Sequence, residues 1–326
     1  MRAPSFFPPA WSLRLRVGTV LIGSLVTLAV LAPLVTAPPE AIADPRAAAL
    51  LPPGSTRWAV TLTDGSTVIA EAVSSRDGAW EMVRRGQIEK VPYGTVARVE
   101  RRRYWLGSDA LGRDVLARLL AGGRVSLSVA ALALAVSLGL GISVGLAAGW
   151  AGGIVDAVLM RLVDALLSVP MIFLLLFLAA GFRPSAATLV VVLGLSSWMG
   201  VARLVRGQVL SLKEREFVLA ARGIGAGPVR IAFTHLLPNA LTPVAQDAAL
   251  RMGDLVLIEA SLSFLGLGVQ PPVPSWGSMV AEGEELLATA WWLAFLPGLA
   301  VVLTVVGAAL VADGLQQLSR GTGQRG

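Results

Sequence analysis

The sequence predicts an all-α polytopic membrane protein of about six transmembrane helices, with a small β domain inserted near its N-terminal end. Hydrophobic residues make up 55% of the 326 residues and charged residues only 15%, well below the roughly 25% of soluble domains. Long uncharged apolar runs recur along the chain, and one polar stretch between them has the period-two pattern of strands. We expect the apolar runs to be helices, because an open sheet edge cannot face lipid.

Six segments are predicted to cross the membrane. A helix needs about 20 apolar residues to span about 30 Å of hydrocarbon, and five runs without interior charge approach or exceed that length. The sixth segment is apolar but contains four charged residues, so we expect it to face protein more than lipid. In chain order the predicted spans are residues 17–36, 125–155, 165–182, 184–202, 239–267 and 286–312.

The first apolar run has two interpretations. Arg14 and Arg16 precede it, and it ends in Val35-Thr36-Ala37, which resembles a signal-peptide cleavage site. Its apolar core is long for a signal peptide and contains Pro33, which favours an uncleaved anchor. Residues 1–37 are therefore assigned to an N-terminal cytoplasmic segment and the first transmembrane helix.

The distribution of Lys and Arg predicts a cytoplasmic N-terminus, because cytoplasmic loops of membrane proteins are enriched in these residues. With six spans, the basic segment 203–238 and the C-terminus also lie in the cytoplasm. The loop that contains Glu282, Glu284 and Glu285 has no basic residue and is predicted to be external, with these carboxylates on a solvated face.

Residues 38–54, rich in Pro and Ala, are predicted to be a linker, and residues 55–103 an external β domain of four or five strands. Alternating apolar residues lead into Asp64-Gly65, a hairpin turn signal. A second hairpin is predicted about Arg85-Gly86, with a final strand at 96–99. The following run Arg101-Arg102-Arg103 is interpreted as solvated or facing lipid headgroups.

Two further patterns concern the second span. Gly141 and Gly145 are four residues apart, and Gly139 lies nearby, a spacing that allows close helix packing. After a break at 151–153, charged residues alternate with apolar ones from Asp156 to Asp164. This pattern predicts an amphipathic helix at the inner membrane interface.

The sequence excludes several classes of function. There is no cysteine and one histidine, so neither a thiolate nor a His-rich metal site is expected. No GxxxxGK[ST] phosphate loop is present, so the chain should not bind ATP itself, and no catalytic residues are predicted. The net charge of +6 comes largely from residues between the apolar runs, which argues for a lipid bilayer rather than nucleic acid as partner.

The cytoplasmic segment 203–238 is the most informative part of the chain. Good helix formers extend from Lys213 to Arg222, and glycines interrupt the helix from Gly223 onward. Small Ala and Gly side chains let another protein approach closely. From the residues alone, a docking helix and an idle amphipathic loop both remain open, and His235 is interpreted as a polar residue at a helix interface.

Here the sequence resembles a known family. Ala220-Ala221-x-x-x-Gly225, followed by Leu237-Pro238, resembles the signature loop of permease subunits of ABC importers. Residues 216–222 and 235–239 resemble its dipeptide/oligopeptide (nickel) branch, and the blocks LGSDALGRD at 106–114 and EASLSFLGLGVQPP at 259–272 resemble the second, "C-type" inner-membrane permease. The resemblance covers about residues 104–315, within a predicted permease domain of 104–326.

The resemblance implies a transport function without enzymatic activity. It implies a heterodimer with a second permease subunit, two cytoplasmic ABC ATPase subunits that bind ATP and Mg, and an external solute-binding protein, with no cofactor on this chain. The mechanism would be alternating access in the cell inner membrane, with peptides, glutathione or nickel chelates among the possible solutes. The implied ATPase-coupling residues are Glu216, Phe217, Ala220, Ala221, Arg222, Gly223, Gly225, His235 and Pro238.

The chain also departs from the family pattern. Residues 55–103 are an insertion that most relatives lack, and the C-terminal Gly-Asp-Gly-Leu-Arg-Asp pattern appears as ADGLQQ at 312–317. An ion-coupled secondary transporter or channel is the alternative function, although the paired broken helices of such proteins are not evident. A membrane anchor that displays the β domain is the third possibility.

Asp247, Arg251 and Asp254 are candidate pore-lining residues in the fifth predicted span. They share one helical face at spacings i, i+4 and i+7, and unpaired charges are costly in the bilayer. We expect them to pair and to face the pore or the partner permease. A polar lining for a zwitterionic solute and a structural ion pair both remain open, and Glu259 is expected near the outer surface, where it would anchor the following turn.

Overall fold

The computed structural model describes residues 13–323 apart from 37–43, 77, 171–172, 174, 176, 178–180 and 182. Within this part the chain is mostly helical, with one small β region. The helices are α1 Leu13–Val35, α2 Val115–Ala151, α3 Gly153–Leu167, α4 Ala186–Leu212, α5 Glu216–Gly223, α6 Pro228–Ile231, α7 Leu237–Phe264, α8 Trp276–Glu284 and α9 Trp292–Gly323. A π-helical turn, Ala232–Leu236, joins α6 to α7.

Among the described residues, α1, α2, α4 and α9 are long and apolar enough to cross a membrane. The predicted span 239–267 corresponds largely to the continuous helix α7. Because α7 contains several charged residues, it is not among these four candidate spans. The predicted span 165–182 lies largely outside the described residues. The structure therefore confirms the helical membrane class and leaves the count of six spans as a prediction.

Two spans begin at other positions than predicted. Helix α2 starts ten residues before the predicted Val125, because Asp114 caps it by accepting a hydrogen bond from the Leu116 amide at 2.9 Å. Its first turns therefore include both Arg118 and Arg124, the charge that bounded the predicted span. Helix α9 starts at Trp292 rather than at Leu286, and residues 285–289 form turns.

Close approach of α2 and α4 forms the centre of the helical part. A Cβ atom on Gly141 or Gly145 would lie 2.5 Å from atoms of α4, and one on Gly149 would lie 2.8 Å away. Gly139 has no such neighbour within 4 Å. The predicted role of Gly141 and Gly145 in packing is confirmed, and Gly149 extends the stripe by one more turn.

The β region consists of two antiparallel three-stranded sheets, ordered β2-β1-β6 and β3-β4-β5. They pack face to face through Val60, Ala70 and Met82. The strands are β1 Ser55–Leu62, β2 Thr67–Ala70, β3 Ala72–Arg76, β4 Ala79–Arg84, β5 Gln87–Pro92 and β6 Val96–Tyr104.

Both predicted hairpin turns are confirmed. Asp64-Gly65 lies between β1 and β2, and Arg85-Gly86 joins β4 to β5 with φ values of 50° and 73°, typical of a type I′ turn. The prediction of four or five strands is wrong, because the chain passes from one sheet to the other at Glu71 and thereby forms a sixth strand. The last strand continues through the arginine run, which pairs with β1.

Residues 44–54, part of the predicted linker, are packed rather than extended into solvent. Asp44 is 6% exposed, accepts a hydrogen bond from the Ile69 amide at 3.0 Å and pairs with Arg84 at 2.9 Å. The Leu51 amide donates to Ser108 Oγ at 2.8 Å. This segment therefore joins the β region to the residues that precede α2.

We predict that Gly145→Leu disrupts the fold, whereas Gly139→Leu is tolerated. At position 145 the side chain must displace α4, and overpacking of this kind costs about 1–3 kcal/mol or more, while position 139 has free space. Thermal unfolding of the two purified variants in detergent provides the comparison. Equal stability of both variants would contradict the helix contact.

Candidate functional site

The segment that follows α4 is held firmly against the end of the α2–α4 pair. Lys213 Nζ donates a hydrogen bond to the Gly149 carbonyl at 3.2 Å. On α5, Val218 and Ala221 are buried and pack in one apolar cluster with Val205 of α4. The segment is therefore a rigid extension of the spanning helices rather than a free loop.

The opposite face of the same segment exposes apolar side chains. Five of them lie within 17 residues of chain, and Ile224 is 87% exposed. Contiguous exposed apolar surface of this kind is typical of a protein contact. The five are Phe217, Leu219, Ile224, Val229 and Phe233.

The predicted coupling residues divide between these two faces. Ala220 and Gly225 are exposed, and Gly225 has φ +83° with open space where a Cβ atom would lie. Ala221 is only 6% exposed, so the expectation that it contacts a partner directly is corrected: it packs against the chain's own core. The remaining exposed members are Glu216, Phe217, Arg222, Gly223 and Pro238.

Two aromatic contacts shape this surface. The guanidinium of Arg222 lies 5.4 Å from the centre of the Trp150 ring, at the end of α2, a cation–π distance. The rings of Phe217 and His235 are 6.5 Å apart. The interpretation of His235 as a residue at a helix interface agrees with this contact, which joins α5 to the π-helical turn.

Helix α3 is fixed to α4 by two arginine–aspartate pairs. Arg206 Nη2 lies 2.6 Å from Asp156 Oδ2, and Arg203 Nη2 lies 2.6 Å from Asp164 Oδ1. The hydrogen bond from Arg206 lowers the pKa of the Asp156 carboxyl below its usual value. Any displacement of the end of α4 therefore acts on α3 as well.

The charged face of α7 contains one ion pair and one further carboxylate. Arg251 Nε donates to Asp247 Oδ2, and its Nη1 donates to the Ser197 carbonyl of α4 at 3.2 Å. A Cβ atom on Gly200 would lie 2.5 Å from this guanidinium, so the glycine makes room for it. Asp254 is exposed and has no ion pair or hydrogen bond within the described part of the chain. The expected pairing is therefore found for two of the three residues.

A second charged cluster lies at the other end of the helices, near the start of α2. Arg118 is 3% exposed. Its Nη1 donates to Asp109 Oδ2 at 2.6 Å. Its Nη1 and Nη2 donate to the Glu282 carboxylate at 2.6 and 2.8 Å. Arg113 Nε also donates to Asp109 at 2.6 Å. Glu282 is exposed, as interpreted, but it lies on helix α8 rather than in a loop, and its carboxylate is paired with Arg118.

The cluster of Asp109, Arg113, Arg118 and Glu282, which we call the outer cluster, borders a cavity of about 510 Å³. Sequence reasoning missed the cluster because its members come from three separate segments. The available signal was Arg118 itself, an arginine that lies close to an apolar span. Such a charge needs a carboxylate partner, and Glu282 is too distant in sequence to be recognised as that partner.

Glu259 is fully buried. Its Oε1 accepts a hydrogen bond from Ser263 Oγ at 2.8 Å, and the Ser126 and Ser275 side chains lie beside it. Ser275 also caps α8. The carboxyl group therefore lies where α2, α7 and α8 meet, next to the turn that it was expected to anchor.

The four long apolar helices define a polytopic membrane protein. Residues 141–320 match the family described as "Binding-protein-dependent transport system inner membrane component". The chain belongs to this family, and it is a transmembrane permease subunit of an ATP-binding-cassette importer. The matched range includes all of residues 203–238 and α7.

Relatives agree with this assignment. The chain is 41% identical over 216 residues to a putative peptide permease protein of Brucella ovis, covering 66% of this chain and 72% of the relative. It is 39% identical to the di/tripeptide transport system permease protein DppC of Pseudomonas aeruginosa, covering 66% and 71%. The dipeptide transport system permease protein DppC of Bacillus subtilis is 38% identical, covering 65% and 67%. The predicted resemblance to the C-type permeases is confirmed.

We predict that Arg251→Ala destabilises the protein more than the double variant Arg251→Ala/Asp247→Ala. The single change leaves Asp247 without its partner, at a cost of about 1–3 kcal/mol for a stranded polar group, reduced by its partial exposure. Thermal unfolding in detergent measures the difference. Asp254→Ala is the control, since this exposed carboxylate has no partner to lose among the described residues, and a double variant less stable than the single one would contradict the pairing.

At the outer cluster, Glu282→Gln is predicted to lower the unfolding temperature, whereas Glu284→Gln leaves it unchanged. The first change weakens two charge-assisted hydrogen bonds to the buried Arg118, each of which contributes about 1.5–3 kcal/mol. The second replaces an exposed carboxylate on the same helix. If both variants unfold at the wild-type temperature, the buried arginine does not depend on Glu282.

Proposed function

We propose that this chain is the second, C-type permease of an importer for peptides or similar small solutes that an external solute-binding protein delivers. The names of its relatives support the solute class. The observation that carries the proposal is α5, which is anchored through its buried face and presents an exposed apolar face beside Ala220. An importer subunit needs this arrangement, because a rigid, exposed helix can pass a displacement from an ATPase into the spanning helices.

The proposed partners follow from the two ends of the molecule. A second permease subunit completes the pore, and two ATPase subunits bind ATP and Mg on the cytoplasmic side, where α5 lies. The external binding protein docks at the opposite end, near α8 and the outer cluster. This chain binds no nucleotide and catalyses no reaction; its N-terminus lies in the cytoplasm, and the complex resides in the inner membrane.

Coupling between ATP and transport is proposed to follow the contacts of α5. Closure of the ATPases displaces α5, and Val218 and Ala221 transmit the displacement to Val205 and its neighbours on α4. The two arginine–aspartate pairs move α3 with α4. The pore then exchanges an inward-open for an outward-open arrangement, a two-state rearrangement that nucleotide binding biases.

The charged face of α7 is the proposed lining for the solute. A peptide with free termini carries one positive and one negative group, and this face offers the carboxylate of Asp254 together with the Asp247–Arg251 pair. The pair is part-exposed, with 28% of the Asp247 side chain and 24% of the Arg251 side chain accessible. The positive group of a zwitterion would thus meet Asp254, which has no ion pair among the described residues, and its negative group would meet Arg251.

We predict that Ala220→Asp abolishes ATP-dependent uptake without unfolding the subunit. Its side chain is exposed, so the new carboxylate leaves the fold intact but introduces charge and bulk into the docking surface. Gly225 is a poorer position for this test, because any other residue there is strained at φ +83°. The matched control is Ser211→Asp, an exposed position on α4 outside the helix α5.

Both variants are reconstituted in proteoliposomes with the partner subunits, and peptide uptake and co-purification of the ATPase are measured. We expect the Ala220 variant to lose both and the Ser211 variant to retain both. Full uptake by the Ala220 variant would exclude α5 as the coupling helix.

A further inference from the structure

The arginine run at the end of β6 contains two cations that the described part of the fold does not neutralise. Arg98 pairs with Glu100 at 2.8 Å, and Arg102 lies 3.7 Å from Asp114. Arg101 and Arg103 are exposed and have no carboxylate partner within the described residues. Since they are two residues apart on one strand, their side chains point to the same side of the sheet.

Both of these arginines stack on tryptophan rings. The guanidinium of Arg103 lies 4.0 Å from the centre of the Trp105 ring, and that of Arg101 lies 5.7 Å from the Trp58 ring. Stacking orients a guanidinium but leaves its N–H groups free to bind an anion in the ring plane. Trp105 itself is 58% exposed, a large apolar ring that the described residues leave open.

The residues that follow Trp105 contact the start of a candidate spanning helix. Trp292, the first residue of α9, donates from its indole nitrogen to the Ser108 carbonyl at 3.3 Å. The neighbouring Trp291 and Phe295 are 52% and 55% exposed. From here an exposed apolar stripe continues down α9 through Leu299, Val302 and Val306. Exposed tryptophan at the top of such a stripe is typical of a membrane–water interface.

We propose that Arg103 and Trp105, with Arg101 beside them, bind the phosphate groups of anionic lipids and seat the β region on the membrane surface. The headgroup layer is about 5–8 Å thick on each side of the hydrocarbon. At about 3.3 Å per residue, Arg103 lies about 7 Å along the chain from Trp105, within that layer, and Arg101 reaches it where the strand leans toward the bilayer.

Two features favour lipid over a protein partner as the occupant. The site lies close in sequence to the start of a candidate spanning helix, since Gly107, two residues after Trp105, lies against the Trp292 indole of α9. Its charge is of one sign, which matches a surface of anionic headgroups and not the mixed charges of a protein interface. The inference does not depend on the transported solute or on which side of the membrane the β region occupies.

The absence of cysteine from the chain allows single-cysteine reporters for a test. A fluorophore is attached at Thr56, which pairs with Arg103 across the sheet, or at Ser66, at the far end of the same sheet. These positions are about 20 Å apart along the strand. The full-length protein is reconstituted in bilayers of phosphatidylcholine, with or without phosphatidylglycerol, that contain a nitroxide quencher on the headgroup.

We expect quenching at Thr56 that is at least about threefold stronger than at Ser66 and that increases with the phosphatidylglycerol fraction. Arg103→Gln should reduce this increase several-fold, because one basic residue near an anionic surface changes lipid affinity about fivefold. Arg98→Gln, on the same strand but paired with Glu100, should leave the increase unchanged.

Equal quenching at the two positions, or quenching at Thr56 that is independent of phosphatidylglycerol, would overturn the proposal. Persistence of the full effect in the Arg103→Gln variant would overturn it as well. The lipid-composition comparison uses the native arginines, so it decides the question even if a variant fails to fold. Protection of Thr56 from the quencher only when the binding protein is added would assign the surface to that protein instead.

Discussion

The close packing of α2 against α4 is the contact on which the rest of the permease fold depends. Lipid provides no hydrophobic driving force for two helices to associate, so direct contact between their surfaces holds them together. Gly141, Gly145 and Gly149 provide that contact by letting α4 approach the backbone of α2. The same part of α4 presents Val205 and Val209 to α5. A helix contact inside the membrane thus positions the surface that is proposed to meet the ATPase.

Charged residues in the long helices follow a second constraint. A charge in apolar surroundings is costly unless it is paired, and Arg118, Arg206 and Arg251 each meet a carboxylate. The pair of Arg206 and the outer cluster of Arg118 connect different elements, so they also fix how those elements lie relative to one another. Asp254 and the buried Glu259 have no ion pair among the described residues; in the proposed heterodimer Asp254 faces the pore or the partner permease.

The inserted β region is integrated with the family's own segments rather than appended to them. Residues 44–51 connect the two parts. Asp44 binds the β region, and Leu50 and Leu51 bind the segment 107–112. The Leu50 amide donates to the Asp109 carbonyl at 3.0 Å, and Asp109 also binds Arg118. The insertion is therefore connected, through residues 44–51 and Asp109, to Arg118 near the start of α2.

The sequence by itself determined the membrane class, the family, the two hairpin turns and the location of helix α5, because each follows from local composition or short-range spacing. It also identified Asp247 and Arg251 as partners, since they are one helical turn apart. Tertiary structure decided which face of α5 is free, so that Ala221 became a core residue and Ala220 a surface residue. It also brought Arg118 to Glu282 and buried Glu259 among three serines. These contacts join residues far apart in the chain, and a local pattern has no information about which distant surface closes over a given side chain.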